Sequence, residues 1–119
     1  MPGLRKLRAA VYFYSSTTTG GVTTARRTRQ LSNDLDGLWW VSRGTPSGNE
    51  PTVGMKPEER LDAIICALAE MPVNRDSVIV IGDEQYRVLS VLPRDYGRDE
   101  HQMLCEVVPR DRYPLTEPT

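Results

Sequence analysis

Short runs of β-branched and aromatic residues, separated by polar turns, dominate the pattern along the chain. Arg8–Tyr14, Leu38–Ser42 and Met103–Val108 each have the composition that is typical of a β-strand. Val78–Leu92 predicts a β-hairpin, because a continuous apolar run is followed by the tight-turn pair Gly82–Asp83 and then by alternating residues. The pattern therefore predicts an all-β or mainly β chain.

The segment that follows the first strand is polar. Residues 15–21 consist of Ser, Thr and Gly and end in a glycine pair that can adopt positive φ. Val22–Gln30 is rich in Thr and Arg and has no helical apolar stripe. We interpret it as an extended arm of a β-hairpin.

The second strand carries two adjacent tryptophans, Trp39 and Trp40. Adjacent residues of a strand face opposite sides of the sheet. We therefore expect one indole to enter the core and the other to lie at a surface or a subunit contact.

Residues 57–70 carry two conflicting signals. Four apolar residues occupy the helical spacing i, i+3, i+4, i+7, namely Leu61, Ile64, Ile65 and Leu68. A proline followed by two glutamates suits the first turn of a helix, so periodicity alone predicts one short amphipathic helix here. The alternative is a strand over Asp62–Ala69, which would place Ile64 and Ile65 on opposite faces of the sheet.

Two further segments are rich in Gly or Pro and poor in apolar residues. Arg43–Lys56 contains three Gly and two Pro in fourteen residues. A loop of this length in a compact domain usually has a function or is disordered, and we take it as the candidate binding element. Pro109–Thr119 holds three Pro and predicts an extended C-terminal tail after a single domain over residues 1–108.

The composition is that of one small domain. The 119 residues include 27 Leu, Ile, Val and Phe, which is above the roughly 20% below which chains tend to stay unfolded. No apolar run approaches the ~18 residues that a membrane span needs, so no membrane partner is expected. The two cysteines, Cys66 and Cys105, have apolar flanks and are interpreted as reduced thiols in the core.

Charge is unevenly distributed, although the net charge is only −1. Residues 1–33 carry six basic side chains and no acid, whereas residues 34–119 carry nine basic and sixteen acidic side chains, a net charge of −7. Opposite fields on one molecule steer copies or neighbours together. The distribution favours an interface role, the alternative being a solvated surface without a partner.

The residue patterns of enzymes and metal proteins are mostly missing. His101 is the one histidine and falls in a polar turn, which favours a surface role over acid–base catalysis. It does not form a zinc-type set with the two cysteines, and Gly20–Gly21 lacks the further Gly, the Lys and the helix of a phosphate loop. We therefore predict a protein that is not an enzyme, with no catalytic residue, no metal and no cofactor.

A cluster of three arginines is the remaining candidate for contact with nucleic acid. Arg26, Arg27 and Arg29 lie among threonines, whose hydroxyls also bond phosphates. No aromatic residue is interleaved with them and the chain as a whole is acidic, so sequence-specific readout is not expected. Passive contact with DNA that passes nearby is compatible with this pattern.

Six short motifs occur in an order that resembles a known family. In chain order they are Leu7-Arg8-Ala9-Ala10-Val11, Gly20-Gly21-Val22, Leu38-Trp39-Trp40-Val41, Ser47-Gly48-Asn49-Glu50, Asp76-Ser77-Val78-Ile79-Val80-Ile81-Gly82-Asp83-Glu84-Gln85-Tyr86-Arg87-Val88 and Leu104-Cys105-Glu106. In their order and spacing, over residues 5–108, the chain is similar to the head–tail joining proteins of tailed bacteriophages, also called head closure or stopper proteins.

The resemblance implies a small β-barrel with long loops that assembles as a ring beneath the portal and continues the DNA channel. Its expected partners are other copies of the chain in a ring of roughly 6 or 12, a portal adaptor protein, a tail terminator or tail tube protein, and passing viral DNA contacted without sequence specificity. The expected location is the neck of the virion, assembled in the cytoplasm of the host bacterium. The resemblance also implies a strand over Leu61–Leu68 in place of the helix.

Individual residues take expected roles from the same resemblance. The long loop would reach the channel or the adjoining ring, with contacts from Arg43, Ser47, Gly48, Asn49 and Glu50. The basic arm would contact an acidic partner ring, because sliding DNA phosphates should meet few tight cationic contacts, and its residues are Arg26, Arg27 and Arg29. The core would be anchored by Trp39, Tyr86 and Val88.

Two alternatives stay open from the sequence. A tail-terminator ring protein of the same virion has a similar small β fold and would bind a tail tube instead of a portal adaptor. A monomeric nucleic-acid-binding barrel of the oligonucleotide-binding or SH3-like type would need exposed aromatic residues on one face. Tyr12, Tyr14 and one of the tryptophans would supply them.

Overall fold

The computed structural model describes residues 7–33, 36–46, 55–56, 58–93 and 100–118. These residues form seven β-strands and no helix, and hence no helix of the length and apolarity that a membrane crossing requires. The strands in chain order are β1 (Leu7–Thr19), β2 (Val22–Gln30), β3 (Trp39–Gly44), β4 (Ala63–Leu68), β5 (Val78–Ile81), β6 (Glu84–Pro93) and β7 (Glu100–Val108).

Six of the strands close into a small antiparallel barrel. Around the barrel the order is β1, β3, β4, β7, β6 and β5, and β5 pairs back with β1. Closure protects the strand edges from uncontrolled pairing with other chains. β2 lies outside this circuit and pairs with β1. The prediction of a small all-β barrel is thus confirmed.

The segment with the conflicting signals is a strand. β4 lies between β3 and β7, and its alternate residues Ala63, Ile65 and Ala67 are buried. Ile64 is half-buried on the other face and Leu68 is 40% exposed, so the apolar residues do not share one buried face as a helix would require. The helical prediction is therefore wrong for the described residues. Two alanines fit the narrow barrel interior, and hydrogen bonds to two neighbouring strands outweigh their weak strand propensity.

The barrel interior holds a single apolar cluster. Val88 has no exposed area and Tyr86 is 2% exposed, and both belong to this cluster. Trp39 packs against the cluster from a partly buried position, and its indole N–H donates to the carbonyl of Gln30 at 2.9 Å. Cys105 is a buried free thiol in the same cluster, and its burial raises the pKa of the thiol.

β1 and β2 continue beyond the barrel as a two-stranded hairpin. β1 pairs with β5 only as far as Tyr12, and from Phe13 to Thr19 it pairs with β2 alone. All twelve residues from 15 to 26 are exposed, and we call this segment the arm. The threonines on both sides of the turn form strands although their segments are polar. Their β-branched side chains favour the extended backbone of a paired strand.

The C-terminal tail returns beside β2. Thr116 pairs in parallel with Thr28. The N–H of Arg29 donates to the carbonyl of Thr116 at 2.8 Å, and the N–H of Thr116 donates to the carbonyl of Arg27 at 2.7 Å. The tail thus covers the outer edge of β2 at residues 27–29, next to the point where the arm ends.

Candidate assembly surfaces

The arm ends in a two-glycine turn beside an apolar side chain. Gly20 and Gly21 have φ values of +59° and +81°, and a type I′ hairpin turn requires positive φ at both central positions. The hydroxyls of Thr18 and Thr23 are 2.9 Å apart and link the two strands behind the turn. Val22 is 66% exposed, so the arm carries its one large apolar side chain at its tip.

The three arginines predicted to contact a partner ring lie in different surroundings. Arg26 shares one face of β2 with Val22, and Arg27 and Arg29 lie on the opposite face. Arg29 forms an ion pair of 3.3 Å with the carboxylate of Glu117 in the tail. Arg26 is exposed and forms no ion pair with another described residue. Its charge is therefore the one most available to another molecule.

Arg27 anchors the base of the arm. It is 9% exposed, and its Nε donates to the backbone carbonyl of Asp76 at 2.7 Å. Its guanidinium carbon lies 5.0 Å from the ring centre of Tyr14 and 4.0 Å from that of Tyr113. Each cation–π contact of this kind is worth about 0.5–2 kcal/mol. The side chain thus joins the arm, the barrel and the tail within one chain.

A hydrogen-bonded carboxylate fastens the end of the tail. The hydroxyl of Tyr12 donates to Glu117 at 2.7 Å. This bond and the Arg29 guanidinium outweigh partial burial and lower the pKa of the Glu117 carboxyl below its ordinary value. Burial and the neighbouring carboxylate raise the pKa of Tyr12 to about 12, so its hydroxyl remains a donor over the usual pH range.

Acid is expected to loosen the docked tail. A carboxyl whose pKa is lowered by folding stabilises the folded state above its unfolded pKa, about 4.3 for Glu, and loses that effect as pH falls through the lower folded value. In an NMR titration, the amide signals of Arg29 and Thr116 should shift together as the pH falls below about 4. Glu117→Gln should abolish this shift, whereas Glu58→Gln should retain it. Identical titrations in all three proteins would contradict the assignment.

Arg43 fixes the point where the long loop leaves the barrel. Its Nη1 donates to the Glu84 carboxylate at 2.7 Å and to the Tyr86 hydroxyl at 2.8 Å, so β6 holds the end of β3. The other loop residues that were predicted to contact the channel or the adjoining ring lie outside the described residues, namely Ser47, Gly48, Asn49 and Glu50.

An apolar groove of about 330 Å³ lies where β2 ends, β3 begins and β4 ends. Three large apolar residues along it have unusually large exposed fractions, which are 56% for Leu31, 46% for Trp40 and 40% for Leu68. The exposed carboxylate Glu70 lies beside them. The sequence indicates only the surface tryptophan of this set, because the other members come from segments far apart in the chain.

The aromatic residues considered for nucleic-acid stacking are mostly engaged. Tyr12 is 7% exposed, and the ring of Tyr14 lies under the guanidinium of Arg27. Trp40 keeps exposed area, but the guanidinium of Arg8 lies 4.2 Å from its ring centre. The described residues therefore do not present the row of free aromatic faces on which successive bases stack.

A charged cluster joins the loop before β4 to the barrel. Arg87 contacts three carboxylates, at 3.1 Å in Glu59, 3.0 Å in Asp76 and 2.8 Å in Glu106. Arg75 pairs with Glu59 as well, and the side chain of Glu59 is 5% exposed. Burial by itself would raise the pKa of Glu59, but a backbone N–H and the two guanidinium groups hold it below the ordinary value.

The described residues bring no metal-binding set together. Among them, no three His, Cys, Asp or Glu side chains converge so as to hold a metal ion. The Nε2 atom of His101 lies 2.9 Å from the carbonyl of Ala69, just after β4. The arm and the groove instead have the features of contact surfaces. The arm carries an exposed valine and a nearby arginine, and the groove is an apolar depression beside a carboxylate.

A scan against protein-family models gives no match to the chain, and a search of curated proteins gives no match either. The function therefore has to be inferred from the motif order in the sequence, the exposed arm and the apolar groove.

Proposed function

We propose that the chain is a structural protein of a tailed-phage virion, a head closure or stopper subunit. Copies of it would form a ring that connects the portal and adaptor complex to the tail and continues the DNA channel. The observation that carries the proposal is the arm, twelve consecutive exposed residues held as a hairpin outside a closed barrel. The order of the six motifs supports the choice of family.

The arm adds little to the stability of its own chain. An isolated two-stranded hairpin is at best marginally stable in water, and ordering each residue costs about 1–2 kcal/mol of conformational entropy. None of residues 15–26 is buried. Contact with another molecule would offset that cost, and repetition around a ring turns many weak contacts into a stable joint.

The charge distribution supports the same proposal. Residues 34–119 carry a net charge of −7, so a channel surface drawn from them would repel DNA phosphates and let them slide. Arg26 is the exposed cation on the arm. It would attract the acidic body of a neighbouring copy or of an adaptor ring, because complementary potentials guide and orient association.

The direct experiment offers the purified chain to three candidate partners. DNA-filled heads that lack a neck, tail tubes, and a short single-stranded DNA are each incubated with the chain and followed by cosedimentation or gel shift. We expect the chain to sediment with the heads and to reduce leakage of DNA from them. Binding to tail tubes alone would favour the tail-terminator alternative, and binding to the oligonucleotide alone would favour the nucleic-acid-binding barrel.

Charge reversal on the arm is expected to weaken joining. Arg26→Glu should lower the number of joined particles about tenfold, which corresponds to ~1.4 kcal/mol, because an attractive contact becomes repulsive. Its Tm should stay unchanged, since the side chain is exposed. Arg110→Glu is the matched control, an arginine whose side chain is 72% exposed and lies outside the arm. Equal losses in both variants would mean that net charge, and not the arm, sets the effect.

A further inference from the structure

We infer that the tip of the arm docks into the apolar groove of a second copy of the chain. Val22 would enter beside Leu31, Trp40 and Leu68 of the neighbour, and Arg26 would face the neighbour's Glu70. The inference rests on the proposed ring function and names the contact that builds the ring.

The arm cannot reach the groove of its own chain. The tip follows the end of β1, whereas the groove is lined by β3 residues near the start of β1, where Ala9 pairs with Trp39. Val22 and Leu31 are nine residues apart along β2, which corresponds to about 30 Å of extended strand. Because the strand register places the arm tip at one end of β1 and the groove near the other end, an arm tip that occupies the groove has to belong to another copy of the chain.

The groove has the size and chemistry that an aliphatic side chain needs. Its volume of about 330 Å³ is far above the roughly 10–15 Å³ of accessible space that one water molecule requires. Exposed apolar residues gathered in one depression mark interaction sites more often than single exposed residues do. Val22, 66% exposed at the tip of the arm, is the complementary group.

Charge fixes the orientation of this contact. Arg26 shares a face with Val22 and is four residues along β2, about 13 Å away. Glu70 lines the groove and is exposed. Within the described part of the chain, neither Arg26 nor Glu70 has an ion-pair partner. An arm with its valine in the groove would bring a free cation toward a free carboxylate.

The symmetry of the contact leads to a ring. The arm tip and the groove are different surfaces at opposite ends of β1, so each copy offers one of each to its neighbours. Such a head-to-tail contact closes into a ring when the rotation between copies allows it. One arm tip covers far less than the ~1,200 Å² of a stable interface, so a single contact is weak and closure of the ring supplies the stability.

Cysteine cross-linking tests the contact on the intact chain. Cys66→Ala removes the partly exposed native thiol, while Cys105 is buried. In that background, Val22→Cys and Leu31→Cys proteins are mixed and treated with a short bis-maleimide linker. We expect at least a tenfold higher yield of mixed dimer than from Val22→Cys mixed with Val107→Cys, a control site that is 49% exposed and outside the groove. Equal yields would overturn the inference.

A chain that carries cysteines at both positions 22 and 31 provides a second test of the same contact. It should give a ladder of dimers, trimers and larger species, because its two sites are too far apart to link within one molecule. Glu70→Arg should lower the yield, and the combination of Arg26→Glu with Glu70→Arg should restore it. A closed monomer, or no rescue by the charge exchange, would contradict the proposed orientation.

The outcomes separate this inference from the function on which it rests. If the chain binds filled heads and forms a ring there, but position 22 never links to the groove, the function stands and the arm-in-groove contact is wrong. If the link forms efficiently while the chain binds neither heads nor tails, the contact stands and the virion role is wrong.

Discussion

Replacing the arm by a two-residue turn is expected to abolish head–tail joining while the barrel stays folded. Tyr14 and Arg27 are directly paired across β1 and β2, so Asn-Gly can take the place of residues 15–26 and close a type I′ turn between them. Joined particles should fall to the level obtained without the chain. The Tm should change by less than about 2 °C, since residues that bury nothing contribute little to stability.

The control for this prediction keeps the length of the arm and changes its chemistry. Thr17→Ala with Thr24→Ala alters two exposed, directly paired residues of the arm and leaves Val22 and Arg26 in place. This protein should join particles as well as the unchanged chain. Full activity of the armless barrel, or an equal defect in the control, would show that the arm does not make the essential contact.

Replacement of Arg87 is expected to have the largest effect on stability. Arg87→Met leaves Asp76 and Glu106 without their guanidinium partner and takes one of two from the nearly buried Glu59. The cluster is partly exposed, so its loss should cost more than a surface ion pair and less than a fully buried one, about 2–3 kcal/mol, or roughly 10 °C in Tm for a domain of this size. Thermal unfolding followed by circular dichroism at pH 7 measures the loss.

The pH dependence identifies the cause of that loss. Arg87 is one of the two guanidinium groups that hold the pKa of Glu59 below its ordinary value, so the stability gained through Glu59 is present above its unfolded pKa of about 4.3 and is lost as the pH falls through the lower folded value; the Tm deficit should therefore shrink in acid. Arg110→Met is the matched control, because its weak ion pair with Asp83 is largely exposed and should contribute less than about 1 kcal/mol. A deficit that is independent of pH would assign the effect to lost packing instead.

The local pattern of apolar and polar residues was sufficient to predict most of the strands. The hairpin predicted over Val78–Leu92 corresponds to β5 and β6, because a continuous apolar run and an alternating run each define a strand without help from distant residues. The first strand is longer than predicted, since β1 runs to Thr19. Its outer half has no buried face, so no apolar alternation marks it in the sequence.

The residues of segment 63–68 do not by themselves decide between a helix and a strand. Ile64, Ile65 and Leu68 satisfy helical spacing, and the alanines at positions 63 and 67 favour a helix. β3 and β7 impose the strand, because they supply ladder partners on both sides of β4. Such tertiary pairing cannot be read from the periodicity within one segment.

The candidate site was predictable in part. The basic segment Arg26–Arg29 is visible as a cluster in the sequence, but its division into an exposed Arg26, an inward Arg27 and a tail-bound Arg29 depends on strand alternation and on where Glu117 docks. The groove was not predictable, because Leu31 and Leu68 are brought together only when the barrel closes. Contacts between distant segments leave no local signal.

The measurement that tests the proposed function most directly is cryo-electron microscopy of tailed-phage particles assembled with this chain. We predict a ring of copies between portal and tail, with each arm reaching the next copy and with Arg43–Lys56 facing the channel or the adjoining ring. Particles with a complete neck that contains no density for the chain, or copies found only as free monomers bound to nucleic acid, would contradict it.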